Sequence, residues 1–79
     1  MQINEIGEIV RYHRKKSSLS REELSKIAGV GKTVIYDLEK GKETIQLSTL
    51  DKIFKALNIK FFLDSPLMKY YLEQKVEKI

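Results

Sequence analysis

Residues 19–42 read LSREELSKIAGVGKTVIYDLEKGK, and their spacing predicts two short helices with a tight corner between them. Ser20 followed by Glu23 is a capping box, in which the hydroxyl accepts from the third residue's amide and the carboxylate reaches back. A helix therefore begins just after Leu19, with Leu24, Ile27 and Ala28 at helical spacing as its apolar face. Gly29 supplies the left-handed conformation that ends it, and Val30 turns back towards a core as the chain reverses through Ala28-Gly29-Val30. The next helix runs from near Gly31 to about Lys40, with Ile35 and Leu38 on one face and Gly41 as its stop. Lys32, Thr33, Tyr36 and Asp37 remain on the opposite face.

Such a corner is the arrangement that carries a helix into the DNA major groove, although on an isolated hairpin the same four residues equally make a solvated surface. The flanking chain supplies further elements. Ile6, Val10 and His13 recur at helical spacing between about Asn4, an acceptable N-cap, and Lys16. His13 sits on the apolar side of this first helix and reads as a hydrogen-bonded structural histidine rather than a catalytic base. Arg11, Arg14, Lys15 and Lys16 lie near its C-terminal end, where the helix dipole favours cations. Downstream, Ser48 and Asp51 repeat the start signal, and Leu50, Ile53, Phe54 and Leu57 mark a fourth helix ending near Asn58. From Ile59 to Leu63 the period changes. Ile59, Phe61 and Leu63 alternate as on one face of a short strand, with Phe62 between them, and no other stretch offers a pairing partner except the same segment of a second copy. Ser65 as N-cap and Pro66 at the first helical position then start a final helix carrying Met68, Leu72 and Val76, which covers this core or a dimer, or docks another protein.

Seventy-nine residues make one small domain, whose core supplies only about 3–5 kcal/mol unless a partner or staple adds to it. We expect a single domain over 1–79, with a helical core in 1–58 and a dimerisation or partner-binding extension in 59–79. The chain has no cysteine and one histidine, so neither disulfides nor a thiolate metal site is expected. No apolar run approaches the roughly 20 residues that span a bilayer, and the N-terminus lacks a secretory core, which points to a cytoplasmic protein without a membrane partner. The net charge of +4 suits a polyanion. Its excess lies in residues 1–42, with nine Lys/Arg against six Asp/Glu, while the remainder holds six against five. A nucleophile–base pair and a glycine-rich phosphate loop are both lacking, so an enzyme is not expected, nor a cofactor or metal.

Residues 6–59 resemble the Xre/Cro-like helix-turn-helix family. The likeness rests on IGE at the start, Arg14, L-S-x-x-E-L, A-G-V, I-x-x-L-E-x-G-K and T-L-x-K-I-x-K-A-L-N-I, in order and at the family's spacing. The portion EKGKETIQLSTLDKIFKALNI, followed by a strand-like segment, is most similar to the HipB-type antitoxins. The resemblance implies an all-α, Xre-type bundle of five helices, or of four helices plus a short C-terminal strand, the third helix being the reader. It places Lys32 and Thr33 at base edges, with Tyr36 and Asp37 one turn further on. Lys donates to guanine, Thr touches a thymine methyl and Asp accepts from cytosine, whereas Asp37 pairs equally well with Lys40 or Lys32. Phosphate contacts fall to Arg21, where the family has glutamine, to Lys42 and Thr44 in the following loop, and to Ser20, Gly31 and Lys40. Gly31 replaces the family's usual hydroxyl cap and Ser18 its usual glycine after the first helix. Arg14 and Glu39 match a structural pair that orients the reader. Ile59, Phe61, Phe62 and Leu63 form the expected dimer interface.

The implied function is a transcriptional repressor that binds a palindromic operator in double-stranded DNA as a homodimer. Through the HipB-type likeness it extends to an antitoxin that neutralises a HipA-like kinase toxin and represses their shared promoter. The alternative is a free-standing regulator of phage-repressor type without a toxin. A third reading, from another class, is a protein-interaction module whose tail helix binds a partner.

Overall fold

The capping box forms as its spacing requires. Ser20 Oγ accepts from the Glu23 amide at 3.0 Å, and Glu23 Oε1 accepts from the Ser20 amide at 2.9 Å. That backbone donor holds the Glu23 carboxyl below its ordinary pKa. The computed structural model describes residues 2–77. It contains α1 (Glu5–Lys16), α2 (Arg21–Ala28), α3 (Lys32–Glu39), α4 (Leu47–Ala56) and α5 (Met68–Glu77). The fold is an all-α helix-turn-helix bundle with no strand among the described residues.

The corner between α2 and α3 follows from Gly29. Its φ of +71° lets both its own amide and that of Val30 bond the Ser25 carbonyl, at 2.9 and 3.0 Å. The chain reverses within two residues, and Val30 reaches the core. Val10, Leu24, Ile35, Leu38, Leu50, Ile53, Phe54 and Leu57 form that core, each side chain contributing about 1.5–3 kcal/mol of apolar burial. α2 packs on α3 and α4, and α1 packs on α3.

The α1–α3 contact depends on Gly7. A Cβ at that position would stand 2.0 Å from the Leu38 carbonyl oxygen, so only glycine allows the two backbones to approach this closely. The obstacle is main chain and has no rotamer by which to yield.

Several elements differ from expectation. Asn4 precedes α1 without a side-chain cap bond. α4 starts at Leu47 behind Gln46, whose carbonyl receives the Leu50 amide at 3.0 Å, so Ser48 lies inside the first turn instead of capping it. Asp51 instead pairs with Lys55 one turn on. Ile27 is 59% exposed, because the core meets α2 along Leu24 and Ala28. α5 begins at Met68 rather than Pro66; residues 66–67 form a turn closed by the Met68 amide on the Ser65 carbonyl.

The expected strand over 59–63 does not form, and among the described residues there is no second strand to pair with it. Asn58, at φ +57°, follows α4, and the expected common face holds for Ile59 and Phe61 but not for Leu63. Ile59 packs against the core, and the Phe61 ring lies 6.0 Å from that of buried Phe54. Both residues thus lean on the core of their own chain. Phe62 and Leu63 are 81% and 71% exposed. Beyond them α5 makes no packing comparable to the other helices, and Leu67, Tyr70, Tyr71, Leu72 and Val76 face solvent. The tail lengthens the molecule to 44 Å and raises its radius of gyration to 15.0 Å, against about 12 Å for a compact chain of this length. Among the described residues no helix is long and apolar enough to cross a membrane.

Gly7→Ala forces α1 from α3 and is expected to cost about 2–3 kcal/mol, read as a lower urea midpoint. An unchanged midpoint would contradict the close approach.

Candidate nucleic-acid interface

The site is assembled around one carboxylate. Arg14 lies on the inner face of α1 and Glu39 at the end of α3, and their side chains are 7% and 2% exposed. Arg14 Nε donates to Glu39 Oε2 at 2.7 Å and Arg14 Nη2 to Oε1 at 2.9 Å, a bidentate fork. Arg14 Nη1 donates to the Leu19 carbonyl at 2.9 Å, which ties down the loop between α1 and α2. The hydrogen bond to Glu39 raises the Arg14 pKa, against a smaller lowering by burial, so the guanidinium stays charged. Arg21, the first residue of α2, adds a third donor, with its Nε 3.2 Å from Glu39 Oε1. Three helices thus converge on Glu39.

Above this junction lies the outward face of α3. Lys32 and Thr33 are exposed at its N-terminal end, where Gly31 is extended and offers no side-chain cap. Lys32, Thr33, Tyr36 and Arg21 line an open cleft of about 290 Å³. Tyr36 carries two cations on its ring: the Arg21 guanidinium lies 5.3 Å and Lys40 Nζ 4.4 Å from the centroid. Gly41, at φ +99°, ends α3 with its own amide on the Leu38 carbonyl and the Lys42 amide on that of Asp37, both at 3.0 Å. Lys42 is thereby fixed beside α3. Its Nζ stands 3.6 Å from Asp37 Oδ2. Asp37 and Lys42 line a second cleft with Thr44, Ile45, Gln46 and Thr49, separate from the one that holds Lys32 and Thr33.

The expected site residues therefore divide. Arg21, Lys32, Thr33, Tyr36 and Lys40 share one surface, whereas Asp37, Lys42 and Thr44 share its flank. Asp37 pairs with Lys42 rather than with Lys32 or Lys40. The Ser20 hydroxyl accepts the cap bond, which leaves its proton for an outside acceptor. His13 Nδ1 lies 2.7 Å from the Ile9 carbonyl one turn back, within its own helix. Among the described residues, no group of three or more His, Cys, Asp or Glu could hold a metal ion.

Two features escaped the sequence reading. The Arg21–Glu39 bond joins residues 18 apart and has no local signal. The Tyr36–Lys40 contact did have one, since residues four apart on a helix are neighbours.

Residues 10–63 match the sequence profile described as helix-turn-helix. Over 62 residues the chain is 37% identical to an uncharacterized HTH-type transcriptional regulator, y4mF, of Sinorhizobium fredii; the match covers 78% of this chain and 82% of that protein. Over 59 residues it is 42% identical to the control protein C.SmaI of Serratia marcescens, covering 73% and 70% of the two chains.

Removing one partner of a buried ion pair leaves an uncompensated charge. Arg14→Met is therefore expected to lower stability by about 3–5 kcal/mol, while joint replacement by Arg14→Met and Glu39→Leu recovers most of the loss. Denaturant unfolding of the single and double variants distinguishes this from independent effects, which would simply add.

Proposed function

The chain belongs to the helix-turn-helix family, and we propose that it is a sequence-specific DNA-binding transcriptional repressor acting as a homodimer on a palindromic operator. The observation that carries this reading is the cationic frame around the end of α3. Lys32 and Thr33 protrude there, with Arg21 on one side and Lys40 and Lys42 further along and beyond α3. Lys32 and Thr33 have the chemistry to read base edges, and Tyr36 lies one turn on. The surrounding cations and Ser20, Gly31 and Thr44 suit phosphates, which position the protein without reading sequence. Asp37 is the weaker base reader, because Lys42 competes for its carboxylate. The printed names of the two relatives, a transcriptional regulator and a control protein, agree with a regulatory role.

The homodimer is supported by the small core and by the apolar side chains of Phe62, Leu63 and α5 left in solvent. Phe62 and Leu63 are the contacts with a second copy, whereas Ile59 and Phe61 brace the segment from within. The whole of 1–79 acts as one DNA-binding unit, with 59–79 as its association segment. Two readers related by a two-fold axis then face half-sites about 10 bp apart or a multiple of that.

A second reading is the HipB-type antitoxin that also binds a HipA-like kinase toxin. The exposed apolar face of α5 favours it, since that face offers a docking surface remote in sequence from Lys32 and Thr33. The names of the two relatives, a transcriptional regulator and a control protein, fit the free-standing regulator. Co-expression with the neighbouring gene product separates the two: an antitoxin co-purifies with a kinase-like partner and rescues growth.

Lys32→Ala and Thr33→Ala are each expected to lose about 1–3 kcal/mol on the operator and to relax its sequence preference. Binding of operator and random duplex as in the parent would contradict the reader assignment. Leu63→Asp, at an exposed position, is expected to leave the fold intact and to yield monomers in sedimentation. A parent that is itself monomeric at tens of micromolar would overturn the dimer.

A further inference from the structure

Arg14 and Arg21 share Glu39 but use it differently. Every nitrogen of the Arg14 guanidinium has an acceptor, two on Glu39 and one on the Leu19 carbonyl. Arg21 uses Nε alone, at 3.2 Å, and its side chain is 38% exposed. Its two Nη groups make no hydrogen bond among the described residues. Two guanidinium charges against one carboxylate leave the triad with one positive charge in excess, and that excess lies at the exposed arginine. The Tyr36 ring beneath Arg21, 5.3 Å from its Cζ, removes much of the freedom that a long side chain otherwise loses on binding. Arg21 also borders the open cleft that it shares with Lys32, Thr33 and Tyr36.

We propose that Glu39 and Tyr36 are positioning residues that hold Arg21 as a preformed fork for one DNA phosphate, so that the carboxylate orienting the reader also sets a backbone contact. The inference rests on the DNA-binding reading above and specifies how one phosphate is held there. A phosphate oxygen can take both Nη donors without Arg21 releasing Glu39, so binding breaks no bond of the fold. Glutamine at this position has no charge to share with Glu39 and no guanidinium plane to lie on Tyr36. Lysine keeps the charge and loses the fork.

The test measures affinity for a short mixed-sequence duplex between about 50 and 200 mM salt. It compares the parent with Arg21→Gln, Arg21→Lys and Tyr36→Leu, all at partly or fully exposed positions, with thermal unfolding checking each fold. Arg21→Gln is expected to reduce the slope of log affinity against log salt by about 0.9. Arg21→Lys should keep the slope and bind more weakly than the parent. Tyr36→Leu should keep the slope while weakening binding about two- to fivefold. In the Arg21→Gln background the loss from Tyr36→Leu on mixed-sequence duplex should shrink, what remains being the share of Lys40, which stacks on the same ring. An unchanged slope in folded Arg21→Gln would overturn the proposal and leave Arg21 as a strut between α2 and α3. Additive losses from Tyr36→Leu and Arg21→Gln would overturn the positioning role of Tyr36. A parent that binds no duplex would overturn the DNA-binding reading itself, and this inference with it.

Discussion

The Glu39 carboxylate is the constraint on which the rest of the structure depends. It accepts from α1 through Arg14 and from α2 through Arg21 while belonging to α3, so the three elements that define the corner share one buried acceptor. A buried ion pair adds little net stability compared with an apolar replacement, because both ions lose their hydration. Its effect is directional. A bidentate guanidinium–carboxylate pair accepts one geometry, and that geometry fixes the rotation of α3 about its own axis. Eight buried apolar side chains hold the helices together without specifying which face of α3 points outward to the accuracy that base contacts require.

The other constraints reinforce the same orientation. Gly7 brings the α1 backbone against the Leu38 carbonyl, directly before Glu39, which shortens the span that Arg14 has to bridge. Gly29 sets the angle at which α3 leaves α2, and Gly41 directs Lys42 back towards Asp37. With the rear of α3 held in this way, its front is left to Thr33, Tyr36 and Lys40. The polar face is rigid because its supports are main-chain approaches and buried pairs. The described part of the tail has no such supports, and α5 leaves Tyr70, Tyr71, Leu72 and Val76 in solvent.

The legible parts of this architecture were those with a local signal. The Ser20–Glu23 box, the Gly29 corner, and the periodic apolar residues of α1, α3 and α4 each draw on neighbours within one or two turns, and each lies where its spacing demands. Ile27 misled because helical spacing shows which residues share a face, whereas the width of the buried stripe depends on the partner helices; the core covers Leu24 and Ala28 but not Ile27. Residues 59–63 misled for a related reason. A strand needs a pairing partner, and with none among the described residues Ile59 and Phe61 lie against the core, Phe61 beside Phe54 of α4. Gly7 gave no sign of its role, since close main-chain approach has no pattern within a single sequence. The site was legible as a set of residue types on one helix. The sharing of Glu39 by Arg21 was not, because the two meet only after three helices have packed.

The central claim is that a rear-braced α3 presents a preformed surface to DNA. Backbone amide shifts of the chain titrated with its upstream duplex test it most directly. The account predicts large changes at Arg21, Lys32, Thr33, Tyr36, Lys40, Lys42 and Thr44, with Arg14 and Gly7 nearly unmoved. Changes centred on α1 or α5, with the exposed face of α3 silent, would contradict it.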